Sequence, residues 1–238
     1  TAAISPDNPE LVKAKTLGIP VVERAVFLGA LLEKYKYPIA VAGTHGKTTT
    51  SSMLSLVLLA AHKDPTILIG GELSQIGGNY HIGGNEYLPF EACEYVESFL
   101  HFKPFVSIIT NIEEDHLDYF KDLNHIITSF VKFASLTSDN GCNIVCIDEN
   151  TTQSIVQNVK KKAVTYALNN KNADYTAENI TLEKNGCPTF DIFNKDRKVL
   201  SVSLNVAGDH NICNALGVTA ACEFLGIEPE YIKSGLEE

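Results

Sequence analysis

A short apolar run, Ile39–Ala42, leads directly into Gly43-Thr44-His45-Gly46-Lys47-Thr48-Thr49, and a longer apolar stretch follows as far as Ala61. The first run suits a buried strand. The second has helical spacing, with Met53, Val57 and Ala60 on one face and Leu54, Leu58 and Ala61 beside them. A glycine-rich turn between a strand and a helix aims several backbone N–H groups and the helix dipole at one point, which suits a polyphosphate. Gly43 and Gly46 permit the tight backbone, Lys47 can bridge the outer phosphates, and the Thr48 hydroxyl can ligate Mg²⁺. The widespread pattern G-x-x-x-x-G-K-[ST] is not met, because Val41 stands at its first glycine.

The rest of the chain fits a fold built round such a turn. Further strand candidates are Ile67–Gly70, Tyr87–Ala92, Val106–Thr110, Asn143–Ile147 and Val164–Ala167, with helical patterns at Leu123–Leu136 and Thr151–Lys161 between the later ones. Alternation of this kind predicts an α/β fold with a mostly parallel sheet and helices on both faces. Beyond Tyr175 come short β runs at 180–182, 190–193 and 200–204, separated by Lys184-Asn185-Gly186 and Asn194-Lys195-Asp196, which read as a small antiparallel β element. A helix over His210–Leu225 and another after Pro229 complete the pattern. Before Tyr37, Ser5 or Asp7 can cap a helix, Val21-Val22 reads as a brief strand, and Arg24–Tyr35 reads as a second helix. This piece has no preceding strand and no glycine-rich turn. Residues 1–36 therefore read as the end of an earlier α/β domain and residues 37–238 as a domain of their own.

The composition, 45% hydrophobic and 20% charged over 238 residues, allows a sizeable core. A formal net charge of −10 argues against a general grip on nucleic acid or anionic lipid, so an anionic ligand must be held by local dipoles, a few cations or a metal. No apolar run is long enough to span a bilayer and no signal peptide is visible at Thr1. The six cysteines form no C-x-x-C pair, and Cys142 and Cys146 fall in a buried-strand candidate. Free thiols in a reducing cytoplasm are the expectation.

Several polar residues fall where such a sheet would place a ligand. Glu91 closes a strand candidate, and strand ends of an open α/β sheet line the ligand crevice, so its carboxylate suits Mg²⁺. His116 follows another strand end, although imidazole is a poor partner for so hard a cation. The neighbouring Glu114 and Asp115 read as cap and surface charges. Asn211 and Asn214 share a helix face, and an amide can match the donor and acceptor edge of adenine; helix capping is the plainer reading of Asn211. The glycines around Asn79 and Asn85 read as a mobile loop, and His45 as a residue serving loop shape.

The stretches DNPELVKAKTLGIPVVERA, AVAGTHGKTTTSSML, FEACEYVESFLHFKP, TNIEEDHLDYF and GDHNICNALGVTAA resemble, in this order, those of the Mur ligases. The likeness is to the branch that joins L-alanine to UDP-N-acetylmuramate in peptidoglycan synthesis. It implies ATP and Mg²⁺ as cofactors, held by the phosphate loop 43–49 and by His210, Asn211 and Asn214 at adenine. It also implies Lys47, Glu91 and His116 as catalytic residues, Thr48, Glu91 and His116 as metal ligands, and Asn79 near the muramyl substrate. It further implies a three-domain enzyme, with residues 1–36 ending the UDP-binding domain and residues 37–238 forming the central one. UDP-N-acetylmuramate and L-alanine would then be partners gripped largely by the other domains, and this chain alone would bind nucleotide without ligating. In some Mur ligases a carbamylated lysine serves the second metal. Lys132 lies about two residues out of register with it and is expected to be unmodified and to face away. A sister ligase adding a preformed peptide to the same sugar would share these motifs. A folylpolyglutamate synthase relative fits FEACEY less well, and a non-catalytic ATP-binding module is the alternative from another class.

Overall fold

The computed structural model of the chain describes residues 4–238. Helix α1 (Pro9–Thr16) starts at Asn8, whose side chain accepts the Glu10 and Leu11 N–H groups. Neither Ser5 nor Asp7 caps it, since Pro9 at the first position brings Asn8 against the open N–H groups. Val21 and Val22 form no strand and are 53% and 56% exposed. Two residues with no neighbouring strand cannot complete a ladder. Helix α2 (Arg24–Leu32) then buries Leu28 and Leu32.

Next come β1 (Tyr37–Ala42), α3 (Lys47–Ala60), β2 (Ile67–Leu73), β3 (Gly78–His81), β4 (Tyr87–Glu91), β5 (Val106–Ile109) and α4 (Leu123–Ser135). The chain continues through β6 (Cys142–Cys146), α5 (Asn150–Asn158), β7 (Ala163–Tyr166), β8 (Tyr175–Leu182), β9 (Pro188–Asn194), β10 (Arg197–Ser203), α6 (Asp209–Phe224) and α7 (Pro229–Leu236). Among the described residues, a ten-stranded sheet runs β10-β9-β8-β7-β6-β5-β1-β4-β2-β3. Its middle is parallel from β8 to β2, while β3 at one edge and β9 and β10 at the other are antiparallel. The loop expected around Asn79 is thus partly an edge strand, reached through a single 3-10 turn at Ser74–Ile76.

Strands β1, β5 and β6 are buried almost throughout, as a parallel sheet covered on both faces requires, and this explains their unbroken apolar runs. One core lies between the sheet and α3, α6 and α7, and includes Met53, Leu54, Val57, Leu216 and Ile232. A second lies under α2 and α4, and includes Leu28, Phe99, Phe130 and Phe133, and a small third joins Leu56 of α3 to Ile67, Ile69 and Leu73 of β2. Helix α7 lies close against α3 because Gly235 has no side chain; a Cβ there would stand 2.4 Å from the Val57 backbone. Chain order reverses beside β1, since β4 lies on one side of it and β5 on the other. A switch point of this kind opens a crevice beyond the carboxyl ends of the strands. Among the described residues, no helix is long and apolar enough to cross a membrane.

Candidate active site

The glycine-rich turn opens into that crevice. Gly43 has φ 146° and Gly46 φ 82°, both in the region that favours glycine, and Gly46 begins α3. A Cβ on Gly43 would lie 2.0 Å from Thr110 Oγ1. The turn is clamped by the residues that follow β5. The Asn111 side chain accepts the His45 N–H at 2.8 Å and donates to the His45 carbonyl at 3.0 Å. Thr110 donates to the same carbonyl at 2.7 Å, and the Glu113 N–H donates to Thr44 Oγ1 at 2.9 Å. His45 enters this network through its backbone, and its side chain is 67% exposed.

Lys47 turns inward at the start of α3. Its ammonium donates to the Thr44 carbonyl at 3.1 Å and lies 3.1 and 3.2 Å from the two carboxylate oxygens of Glu94. Glu94 is only 2% exposed. A buried carboxylate needs such a partner, because desolvation otherwise opposes its charge. His116 Nε2 lies 3.9 Å from Glu94 and 3.8 Å from Asp115, and these three side chains bring their donor atoms within 4.8 Å of one another. Asp115 therefore faces the site instead of serving as a plain surface charge. Val96, Glu97 and His116 all have φ near +50°. That conformation costs a non-glycine residue roughly 1–3 kcal/mol and is rarest for a β-branched one, so strain is concentrated beside this cluster.

Glu91 closes β4, at the strand end where the sequence puts it. Its carboxylate accepts the Gly70 N–H at 2.6 Å and the Ser51 hydroxyl at 3.3 Å, and it is not among the groups gathered at His116. The strand end points it at α3 and β2, whereas Glu94 is carried past the strand and over Lys47. Lys132 pairs with Glu97 at 3.4 Å on the exposed face of α4. Asn79 is exposed on the edge strand β3.

A cavity of about 230 Å³ opens beside the clamp, lined by Thr110, Asn111, Asp148, His210 and Asn214 among others. Asn211 lies behind it, its amide donating to the Ala207 carbonyl and accepting from Asn214. Asn214 Oδ1 also stands 3.0 Å from where a Cβ on Gly46 would be, so α6 abuts the loop. A second cavity, of about 430 Å³, is lined by Arg24 and Glu91 and by Cys93 and Tyr95, which flank Glu94 in the chain, among others. Sequence reasoning missed Glu94, Thr110 and Asn111. The available signal was a second acid three places after Glu91 and the TN pair opening the stretch that contains His116.

The Mur ligase middle domain matches residues 41–222, which takes in the loop, Glu94, His116 and Asn214. The chain belongs to the Mur ligase family. The Mur ligase family catalytic domain matches residues 1–36. The UDP-N-acetylmuramate–L-alanine ligase of Acetivibrio thermocellus is 52% identical over 237 residues, covering 100% of this chain and 50% of that protein. The enzyme of the same name from Clostridium tetani is 48% identical, covering 100% of this chain and 52% of its own length. Among solved structures, UDP-N-acetylmuramate-alanine ligase from Thermotoga maritima superposes with a TM-score of 0.85 at 30% identity, over 99% of this chain and 52% of that one. The chain spans about half the length of the curated relatives it matches. The mixed sheet with helices on both faces is thus the Mur ligase fold expected from the sequence.

Proposed function

We propose that this chain supplies the nucleotide-binding half of an ATP-dependent ligase that joins L-alanine to UDP-N-acetylmuramate. The observation that carries the proposal is Lys47 held at the mouth of a glycine turn, against a buried Glu94 with His116 behind it. In this reading the N–H groups at the start of α3 and the Lys47 ammonium receive the polyphosphate. The cavity at His210 and Asn214 takes the nucleoside end, with Asn211 bracing Asn214 in place of touching the base.

The donor set suits Mg²⁺ in part. Glu94 and Asp115 offer the hard oxygens that this ion prefers and His116 adds a softer nitrogen, with the Thr48 hydroxyl available in the first turn of α3. Bound there, the ion would supply charge neutralisation at the transferring phosphate. This arrangement favours Glu94 over Glu91 as the carboxylate of the site and leaves Glu91 bracing β4 against α3. The lactyl carboxylate attacks the γ-phosphorus of ATP and ADP leaves, giving an acyl phosphate. The amine of L-alanine then adds to the acyl carbon, and the tetrahedral intermediate expels phosphate as the amide forms. Lys47 stabilises charge on the phosphoryl oxygens, and the clamped loop keeps the groups aligned without reorganisation. The second cavity, beside Arg24 and Tyr95, is the space for the acid substrate.

Calorimetry of ADP and ATP with Mg²⁺ tests this reading. Wild type should bind, and Lys47→Ala should weaken binding roughly a hundredfold, as loss of a charge-assisted phosphate contact in a dry site does. Equal affinities would overturn it.

A further inference from the structure

Two cysteines far apart in sequence meet at the wall of the smaller cavity. Cys146 ends β6, and Cys213 lies in the second turn of α6. Their sulfurs are 3.5 Å apart, and each lies 3.9 Å from Oδ2 of Asp148, just beyond β6. Both cysteines and Asp148 line the cavity. Asp148 is held in place from behind. Its Oδ2 accepts the Leu168 N–H at 2.8 Å, and its Oδ1 accepts the N–H groups of Asn169 and Asn170 at 2.8 and 3.0 Å.

The geometry points to a binding site for one thiophilic divalent cation, zinc in the first instance, with Cys146, Cys213 and Asp148 as its ligands. A four-coordinate zinc ion, with bonds of about 2.3 Å to sulfur and 2.1 Å to oxygen, sets its ligand atoms roughly 3.8 Å (S···S) and 3.6 Å (S···O) apart. The triangle in this protein has edges of 3.5, 3.9 and 3.9 Å, so shifts of a few tenths of an ångström complete one face of the tetrahedron. Two thiolates select a soft cation over Mg²⁺, and the backbone N–H groups on Asp148 orient the third ligand as an outer shell does in metal sites. On binding, two S–H bonds break, two metal–sulfur bonds form, and two protons pass to solvent. The fourth position faces the cavity and takes water. The cluster is separate from Glu94, Asp115 and His116, and the proposal does not depend on the nucleotide reading.

Cobalt(II) is the probe, because thiolate ligation gives a near-ultraviolet charge-transfer band that nitrogen and oxygen ligands do not. Titration of the reduced chain should give this band saturating at one equivalent, with zinc displacing it. Cys213→Ala should weaken binding at least tenfold and lose intensity, and Cys146→Ser should do the same. Cys93→Ala should leave the band unchanged, which excludes the exposed thiol beside Glu94. Circular dichroism of each variant shows that it is folded. Zinc should also raise the melting temperature of wild type and not that of Cys213→Ala. No charge-transfer band in wild type, or a band that survives both the Cys213 and the Cys146 substitution, would overturn the proposal.

Discussion

Two segments reach the same crevice from the ends of parallel strands, and they differ in how they are held. The turn 43–49 after β1 depends on its own backbone: glycine at positive φ, N–H groups at a helix start, and main-chain groups of His45 gripped by the Thr110 and Asn111 side chains. The segment 92–98 after β4 depends on side chains: Glu94 on Lys47, Tyr95 on Asp118, and Glu97 on Ser129 and Lys132. Its Val96 and Glu97 take up positive φ without glycine to ease it. A backbone device demands particular residue types and so announces itself in sequence. A side-chain device is made by partners tens of residues away, and any acid in the neighbourhood looks equally qualified.

The largest effect is expected where the two segments meet. Lys47→Met removes the ammonium hydrogen-bonded to the buried Glu94, leaving His116 3.9 Å away, and should destabilise the nucleotide-free chain by roughly 3–5 kcal/mol. Adding Glu94→Gln should recover most of that, as read by urea melts; an additive double variant would show that the pair is not coupled. Next comes the backbone device. Gly43→Ala forces a Cβ against Thr110 at an unfavourable φ, for roughly 2–4 kcal/mol. A stability near that of wild type would mean that the loop is less tightly clamped than its hydrogen bonds imply.

The third prediction decides between the two acids. Glu94→Gln should reduce the Mg²⁺-dependent part of nucleotide affinity by about tenfold or more, near 1.4 kcal/mol, whereas Glu91→Gln should leave it nearly unchanged. The reverse order would return the metal role to Glu91. Within the side-chain segment, Ser129→Ala should cost about 1–2 kcal/mol, since its hydroxyl donates to Glu97 at 2.6 Å. That hydrogen bond is the chief cause holding the Glu97 carboxyl below its ordinary range, with Lys132 adding to it. Because the folded-state value is depressed, this stabilisation is present above the usual carboxylate range and is lost as pH falls through the lowered value. Acid melts of Ser129→Ala should therefore be flatter than those of wild type. Lys132→Ala, removing a cation that is 55% exposed, should change stability by no more than about 0.5 kcal/mol.

The sequence alone determined the α/β class, the positions of most strands along the chain, the glycine-rich turn between β1 and α3, and the antiparallel end. Those features rest on local signals: continuous apolar runs mark strands buried on both faces, and glycine marks backbone that other residues avoid. It also singled out Lys47, His116 and Asn214 within stretches like those of Mur ligases. Only the tertiary structure decided which carboxylate meets Lys47, because Glu91 and Glu94 are alike in sequence and differ in what the fold packs against them. Likewise, the pairing of Cys146 with Cys213 comes from laying α6 across the end of β6, and no spacing along the chain encodes it. A contact between distant segments is set by how helices and strands pack. Its residues carry a pattern for burial, but no local mark of the partner they will meet.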